Sequence, residues 1–268
     1  IMWLGELITR NGIGNGMSLI IFASIVSQLP ASFGGAYQVT AGQGRIGQFV
    51  FLVAMFLLMI IGIIYVEQGQ RRIPIQFAKR VRGRKVMGGQ STYIPLKVNS
   101  AGVIPVIFAT SVLFFPALIA TSLPQDNNIT AAIRNWIDIN IGNSQGTSWF
   151  YIFFLGMLII FFTYFYTTIQ FDPVRQSDMI RRQGGFIPGV RPGTSTTNHL
   201  SHILSRITLP GSVFLASVAV LPSIASAIWD IPLGFSGISI LITVGVALET
   251  MKQVESQLSM RNYEGFID

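Results

Sequence analysis

Long stretches without a charged side chain dominate the hydropathy pattern of this sequence. They lie between Arg10 and Arg45, Arg45 and Glu67, Lys97 and Asp126, Asp138 and Asp172, Arg206 and Asp230, and Asp230 and Glu249. A helix needs about 20 mostly apolar residues to cross a bilayer core about 30 Å thick. The pattern therefore predicts six transmembrane helices, near residues 17–33, 47–66, 101–121, 149–169, 207–228 and 236–250.

Turn residues mark the expected ends of several of these helices. Gly34 and Gly35 are expected to end the first, Pro124 follows the third, and Pro232 with Gly234 separates the last two. The first apolar run also has the length of a secretory signal peptide. That alternative is disfavoured because five further spans follow and the residues before Arg10 do not form a basic leader.

The composition agrees with a membrane protein and excludes several other classes. Charged residues make up 11% of the chain, hydrophobic residues 50%, and mean hydropathy is +0.56, whereas soluble domains carry roughly 25% charged residues. This composition excludes intrinsic disorder and collagen, and a disulfide scaffold is excluded because the sequence contains no Cys. We expect an all-α polytopic membrane protein.

The distribution of basic residues predicts the orientation of the chain. All of the 18 Lys and Arg residues except Arg45 and Arg134 lie in segments 1–16, 67–100, 170–206 and 251–268. Cytoplasmic loops carry an excess of Lys and Arg. We therefore expect both ends of the chain and both long basic loops to be cytoplasmic.

The first long loop, 67–100, is unusually basic. Its segment 71–85 holds seven cations and no acidic residue: Arg71, Arg72, Lys79, Arg80, Arg82, Arg84 and Lys85. The simplest interpretation is that these residues only set the topology. Their density also suits contacts to the phosphates of RNA or to anionic lipid headgroups, and the sequence does not rank these two.

The second long loop, 170–206, has a different character. Its segment 183–193 places four Gly and two Pro around a single cation, Arg191. Because Gly and Pro set defined turns, the pattern predicts a shaped loop that presents Arg191 to a cytosolic partner.

The sequence offers few candidate side chains for catalysis, ion coupling or metal binding. The predicted spans contain no Lys, Arg, Asp, Glu or His before Glu249, whereas ion-coupled transporters usually keep ionisable groups near the midplane. His199 and His202 have the spacing of zinc ligands but lack a nearby Cys or carboxylate. We expect no catalytic residues, no metal site and no cofactor, and interpret the chain as a passive conduit or a scaffold rather than an enzyme.

Several sequence motifs closely resemble those of the SecY family, the pore subunits of the Sec protein-conducting channel. They occur in order along the whole chain, at 12–16, 67–74, 89–99, 101–105, 185–193 and 261–266. The resemblance implies ten spans in two pseudo-symmetric halves. Residues 1–46 would then carry the last helix of the first half, and residues 47–268 the C-terminal half. The absence of an initiator Met before Ile1 also suggests that more protein precedes it.

The resemblance implies a protein translocation channel with an apolar constriction. The family's pore-ring positions fall on Met17, Ile21, Ile107 and Ile242. A narrow aliphatic ring resists wetting and ion leak because it offers no hydrogen bonds to water or ions. Met17 departs from the usual Ile, but its thioether is still apolar. At about 1.5 Å per residue, Ile107 would lie about 15 Å beyond Lys97, near the midplane.

The resemblance also implies a gate, docking sites and partners. Lateral-gate positions correspond to Asn99, Thr110 and Ser111, and docking positions to Arg71, Arg72, Arg84, Lys85 and Arg191. Expected partners are the SecE and SecG subunits, the ribosome, the motor ATPase SecA, signal peptides, nascent chains and the lipid of a bacterial plasma membrane. The alternative from another class is an ion-coupled secondary transporter whose binding site lies in the absent half.

Overall fold

The computed structural model of the chain describes residues 2–12, 14–77, 80–82, 85–87, 91–122, 128–141, 148–229 and 234–264. The helices are α1 Met2–Asn11, α2 Gly16–Gly42, α3 Ile46–Gln68, α4 Ile104–Ser122, α5 Asn128–Asn140, α6 Trp149–Gln170, α7 Pro173–Arg182, α8 Thr194–Trp229 and α9 Gly237–Glu264. The strands are β1 Gln70–Phe77, β2 Arg80–Arg82, β3 Lys85–Met87, β4 Ser91–Lys97 and β5 Gly185–Phe186.

Six of these helices have the length and hydropathy of membrane spans: α2, α3, α4, α6, α8 and α9. Each overlaps one of the six charge-free runs of the sequence. The prediction of a polytopic α-helical membrane protein with six spans is therefore confirmed at the level of element type and number.

The first span is longer than the sequence pattern predicted. Gly34 and Gly35 do not end α2, which contains 27 residues and reaches Gly42, about 40 Å at 1.5 Å per residue. Packing outweighs the helix cost of about 1 kcal/mol per Gly. Ala36 is buried against Leu52 of α3 and Ala225 of α8, and the buried Thr40 hydroxyl donates to the Ala36 carbonyl over 2.8 Å.

The last two spans also extend beyond their predicted ends. Helix α8 begins at Thr194 instead of near 207, and α9 continues to Glu264 instead of ending near 250. The first charged side chain, Arg206 or Glu249, marks where a helix leaves the apolar layer but does not stop its backbone hydrogen bonding. The first turns of α8 are held by apolar burial, since Leu200 and Ile203 are both buried.

The two long basic loops contain regular structure that the hydropathy pattern did not reveal. Strands β1 and β4 form an antiparallel pair from Gln70↔Lys97 to Gln76↔Ser91. Strand β5, which comes from the other basic loop, pairs antiparallel with the end of β1, so the sheet order is β4-β1-β5. A separate short hairpin joins β2 to β3.

The chain forms two compact units, each assembled from several segments. The span unit comprises Ile1–Tyr65, Thr110–Gly156 and Ser217–Asp268. The loop unit comprises Val66–Ala109 and Met157–Ala216. The expected boundary near residue 46, between two halves of a longer channel, is a different division and stays a prediction.

Candidate functional site

The β1–β4 hairpin of the loop unit presents a basic and aromatic face. Along β1 the side chains of Ile73 and Ile75 are buried and those of Arg72 and Pro74 are exposed, as expected for a strand with one covered face. Arg71, on the same side of the strand as Ile73, is exposed as well. The Arg72 guanidinium lies 4.9 Å from the ring centroid of Tyr93 on β4. This cation–π contact orients the guanidinium at the surface of the hairpin.

An apolar core fastens this hairpin to the second basic loop. The cluster has seven buried residues. The first basic loop supplies Ile73, Ile75 and Leu96. The second supplies Ile180 on α7, Ile187, and Leu200 and Ile203 on α8. Burying one such side chain contributes about 1.5–3 kcal/mol. The two basic loops therefore form one folded body, instead of two independent connectors.

Arg191 sits on a tightly turned segment of this body. Gly189 and Gly193 have φ angles of +83° and +113°, which favour glycine because other side chains adopt them at a cost. The Thr196 hydroxyl donates to the Arg191 carbonyl over 3.0 Å, and the Ser177 hydroxyl donates to the Gly193 carbonyl over 3.1 Å. The loop is therefore anchored at Arg191 and just beyond it, while the Arg191 side chain is exposed.

Two further predicted docking residues, Arg84 and Lys85, are adjacent in the sequence. Arg84 lies outside the described residues. The backbone of Lys85 begins β3 and pairs with Arg82 of β2. Their proposed role stays a prediction from the sequence.

Asn99 lies at the base of the β1–β4 hairpin, just after β4, where the chain turns toward α4. Its side-chain amide donates to the Glu67 carboxylate over 3.0 Å, and the Val98 amide donates to the Gly69 carbonyl over 3.0 Å. Asn99 is buried, and its Oδ1 atom has no hydrogen-bond partner within the described part of the chain. This junction links the end of α3 to the start of α4. The sequence did not identify Glu67 as its partner.

Ile107 and Ser111 of α4 share one helix face, because residues four apart lie one above the other. Ile107 and Ser111 are exposed and Thr110 is half-buried. Val106, Ala109 and Leu113 are buried. Helix α4 begins only at Ile104, so the ten residues of helix expected between Lys97 and Ile107 do not form, and Ile107 lies in the first turn of α4. The predicted ring and gate positions on α4 are exposed or, at Thr110, half-buried.

Met17 and Ile21, one turn apart at the start of α2, are also incompletely buried. The exposed fractions are 39% for Met17, 45% for Ile21 and 46% for Ile107. The Met17 thioether lies against α1, since a Cβ added to Gly5 would stand 2.6 Å from its sulfur. Met17 therefore fills a gap at the α1–α2 contact, a role that the sequence did not suggest.

Ile242 of α9 lies near the depth of Ile21 within the span unit. Helices α2 and α9 run antiparallel, since Gly14 lies beside Thr250 at one end and Ser32 beside Gly234 at the other. Interpolating between these contacts at about 1.5 Å per residue places Ile242 opposite roughly residue 24, about one turn from Ile21. The Ile242 side chain is half-buried.

The possible metal ligands seen in the sequence form no cluster in the structure. His199 and His202 are exposed on α8. Across the described residues, no group of three or more His, Cys, Asp or Glu side chains is placed to hold a metal ion.

Comparisons with known proteins point to one family. The SecY family model matches residues 1–251. Proteins named protein translocase subunit SecY are similar over the whole chain, with 47% identity in Mycobacterium bovis and 48% in Mycobacterium leprae and Streptomyces scabiei. The chain spans about 60% of the length of these relatives.

Solved channel structures share the fold. One, titled "The structure of a protein conducting channel", aligns with a TM-score of 0.58 at 20% identity over 94% of this chain and 61% of that chain. Another, whose title describes the plug domain of the SecY protein stabilising the closed state of the translocation channel, aligns with a TM-score of 0.60 at 18% identity over 95% of this chain and 62% of that chain.

Proposed function

The chain belongs to the SecY family, and from this premise we propose that it forms part of the wall of a protein-conducting channel in a bacterial plasma membrane. The complete channel would pass unfolded secretory polypeptides across the membrane and release transmembrane segments sideways into lipid. The observation that carries the proposal is a set of aliphatic side chains, Met17, Ile21, Ile107 and Ile242, that are exposed or half-buried in spans whose apolar stretches contain no ionisable residue.

The proposed constriction acts through the absence of polar partners. Aliphatic side chains cannot replace the hydration shell of an ion, so a narrow ring of them resists wetting. The same side chains offer a passing peptide no hydrogen bonds that would retain it. This chain supplies four ring positions, and the remaining part of the wall would come from the part of the relatives that it does not span.

Helices α4 and α6 are proposed to form one wall of the lateral gate, with Thr110 and Ser111 on α4 and Asn99 in the segment that precedes it. The Asn99–Glu67 hydrogen bond supports this role because it fixes the start of α4 to the base of the hairpin. A partner that moves the hairpin would then also act on the start of α4.

The basic surface of the loop unit is proposed to dock the ribosome and SecA through Arg71, Arg72, Arg84, Lys85 and Arg191. Arg71 and Arg72 are exposed on the sheet and Arg191 is exposed on its anchored turn, positions that suit contacts to RNA phosphates or to acidic protein surfaces. SecE and SecG are the proposed partners within the membrane. ATP hydrolysis would belong to SecA, since no enzymatic role is proposed for this chain.

Both ends of the chain and both basic loops are proposed to face the cytoplasm, on the strength of the Lys and Arg distribution. Because the sequence contains no Cys, single cysteines report this directly. Arg181→Cys should react with an impermeant maleimide only from the cytoplasmic side, and Asp138→Cys only from the opposite side. The reverse pattern would overturn the orientation.

The decisive experiment for the conduit uses the complete channel in proteoliposomes. Ile107→Gly should raise ion conductance severalfold while preprotein translocation continues, because the ring loses an apolar side chain. Val112→Gly on the same helix is the control for helix weakening. Unchanged conductance in Ile107→Gly would place the constriction elsewhere. Solute uptake that does not depend on a preprotein would favour the ion-coupled transporter, which the family match does not favour.

The docking role of Arg191 is tested by charge reversal. Arg191→Glu should impair preprotein export more than it impairs channel assembly, because the side chain is exposed on an anchored turn. Arg206→Glu, a charge reversal elsewhere in the loop unit, is the control. Normal export together with normal SecA and ribosome affinity in Arg191→Glu would contradict the assignment.

A further inference from the structure

Helix α5 lies between the spans α4 and α6 and has an apolar stripe that the described chain leaves uncovered. Ala132, Trp136 and Ile139 occupy positions i, i+4 and i+7, which fall on one face of a helix. Trp136 is 53% exposed and Ile139 is 68% exposed. Side chains of this size need a partner, since leaving them in water forfeits about 1.5–3 kcal/mol each.

The other side of α5 is polar but carries no net charge. Arg134 and Asp138 form an i,i+4 ion pair, with 3.7 Å between Arg134 Nε and Asp138 Oδ2. At about 100° per residue this pair lies roughly opposite Trp136. A helix with one apolar and one polar face matches elements that lie in the plane of a membrane interface.

Aromatic contacts join the stripe to the uncovered surface of α6. The rings of Trp136 and Phe150 stand edge to face with centroids 5.5 Å apart, and Phe150 stacks on Phe154 at 5.9 Å. Trp149 and Phe153 at the same end of α6 are exposed as well. The apolar stripe therefore continues directly into the surface that a membrane span exposes to lipid.

We propose that α5 lies in the membrane interface, with Ala132, Trp136 and Ile139 inserted at the boundary between headgroups and acyl chains where α6 enters the bilayer. Trp is enriched at this depth because its ring is apolar and its N–H is polar. The Arg134–Asp138 pair then faces water and headgroups. Because the pair is neutral, insertion depends on apolar burial and not on anionic lipid.

Nitroxide labels on single cysteines in the complete channel, reconstituted in phosphatidylcholine vesicles, test this placement. The sequence contributes no native Cys. A label at Ile139→Cys or Ala132→Cys should collide with oxygen severalfold more often, relative to a water-soluble nickel chelate, than a label at Asp138→Cys. Asp138 is the matched control because it is also exposed and lies about 100° around the helix from Ile139.

Two outcomes would overturn the proposal. If the Ile139 label meets the nickel chelate as readily as the Asp138 label, the stripe faces water. If the Ile139 label is shielded from both reagents, a protein covers the stripe, either another subunit or a second copy of this chain. Adding phosphatidylglycerol should leave the depth of the Ile139 label unchanged, and a shift toward deeper insertion would contradict insertion by apolar burial alone.

Discussion

The loop unit and the span unit differ in how they bury their apolar side chains. The loop unit closes a core of seven buried residues beneath a sheet, as a soluble domain does. The span unit leaves large side chains such as Leu58, Ile61 and Phe115 exposed. We expect lipid or other parts of the proposed channel to cover these residues, since apolar surface on a membrane span needs no core of its own. Fractional exposure therefore separates residues that stabilise the fold from residues that meet the surroundings.

The largest expected loss of stability comes from truncating a buried side chain in the loop-unit core. Leu200→Ala should lower the free energy of unfolding by about 2–5 kcal/mol, since Leu200 is fully buried and the substitution leaves a cavity. Leu209→Ala, on the same helix but more than half exposed, should cost less than about 1 kcal/mol. Thermal unfolding of the assembled channel in detergent measures both. Equal losses would remove the distinction between core and lipid-facing positions.

Two helical glycines offer a second contrast between the units. A Cβ on Gly211 would lie 2.6 Å from the Val98 carbonyl oxygen, whereas one on Gly156 would meet Val220 at 3.8 Å. Gly211→Ala should therefore destabilise the loop unit by about 1–3 kcal/mol through overpacking against the hairpin base. Gly156→Ala should be neutral or stabilising by up to about 1 kcal/mol, as expected for helix propensity.

The same thermal unfolding assay measures both glycine variants. If Gly211→Ala proves as stable as Gly156→Ala, the close approach of α8 to the hairpin base does not hold in the assembled channel.

The hairpin base should respond to loss of its side-chain hydrogen bond. Asn99→Ala removes the amide that donates to the Glu67 carboxylate and should lower the free energy of unfolding by about 1–3 kcal/mol. Faster hydrogen exchange at the Val98 amide, which bonds the Gly69 carbonyl, reports the local opening. Ser100→Ala is the control, because its hydroxyl bonds only a nearby carbonyl in an exposed position. Unchanged exchange in Asn99→Ala would mean that the pair does not hold the base.

The smallest expected effect concerns the exposed face of the hairpin. Arg72→Ala should reduce the salt dependence of ribosome affinity by roughly one phosphate contact. Arg45→Ala makes the same charge change in the short α2–α3 turn and should leave the slope unaltered. Equal slopes for the two variants would indicate that Arg72 sets topology and does not bind a partner.

The sequence predicted the spans because a membrane imposes a simple rule on composition. Each charge-free run became a helix, and the phrases around Gly185–Gly193 and Gln90–Asn99 were specific enough to indicate the family. Helix ends were less predictable. Gly34 and Gly35 carry a local breaking signal that the packing of Ala36 against α3 and α8 overrides.

The architecture of the basic loops was not predicted, because it depends on contacts distant in sequence. The alternation of Ile73 and Ile75 with less apolar residues is a strand signal that can be read from the sequence. Nothing local indicates that β5 joins the same sheet. Asn99 came from the family resemblance alone, and only the three-dimensional structure pairs it with Glu67. The stripe of α5 is readable at i, i+4 and i+7, but the hydropathy pattern predicts no element between the third and fourth spans.

The central claim, that uncovered aliphatic residues of these spans line a polypeptide path, is tested most directly by cross-linking to a stalled preprotein. Single cysteines replace Met17, Ile21, Ile107 or Ile242 in the assembled channel, and Val106, which is fully buried beside Ile107, serves as the control. The account predicts disulfides from all four ring positions to one narrow region of the stalled chain and none from Val106→Cys. Cross-links from Val106→Cys that match those from Ile107→Cys, or none from the four, would contradict it.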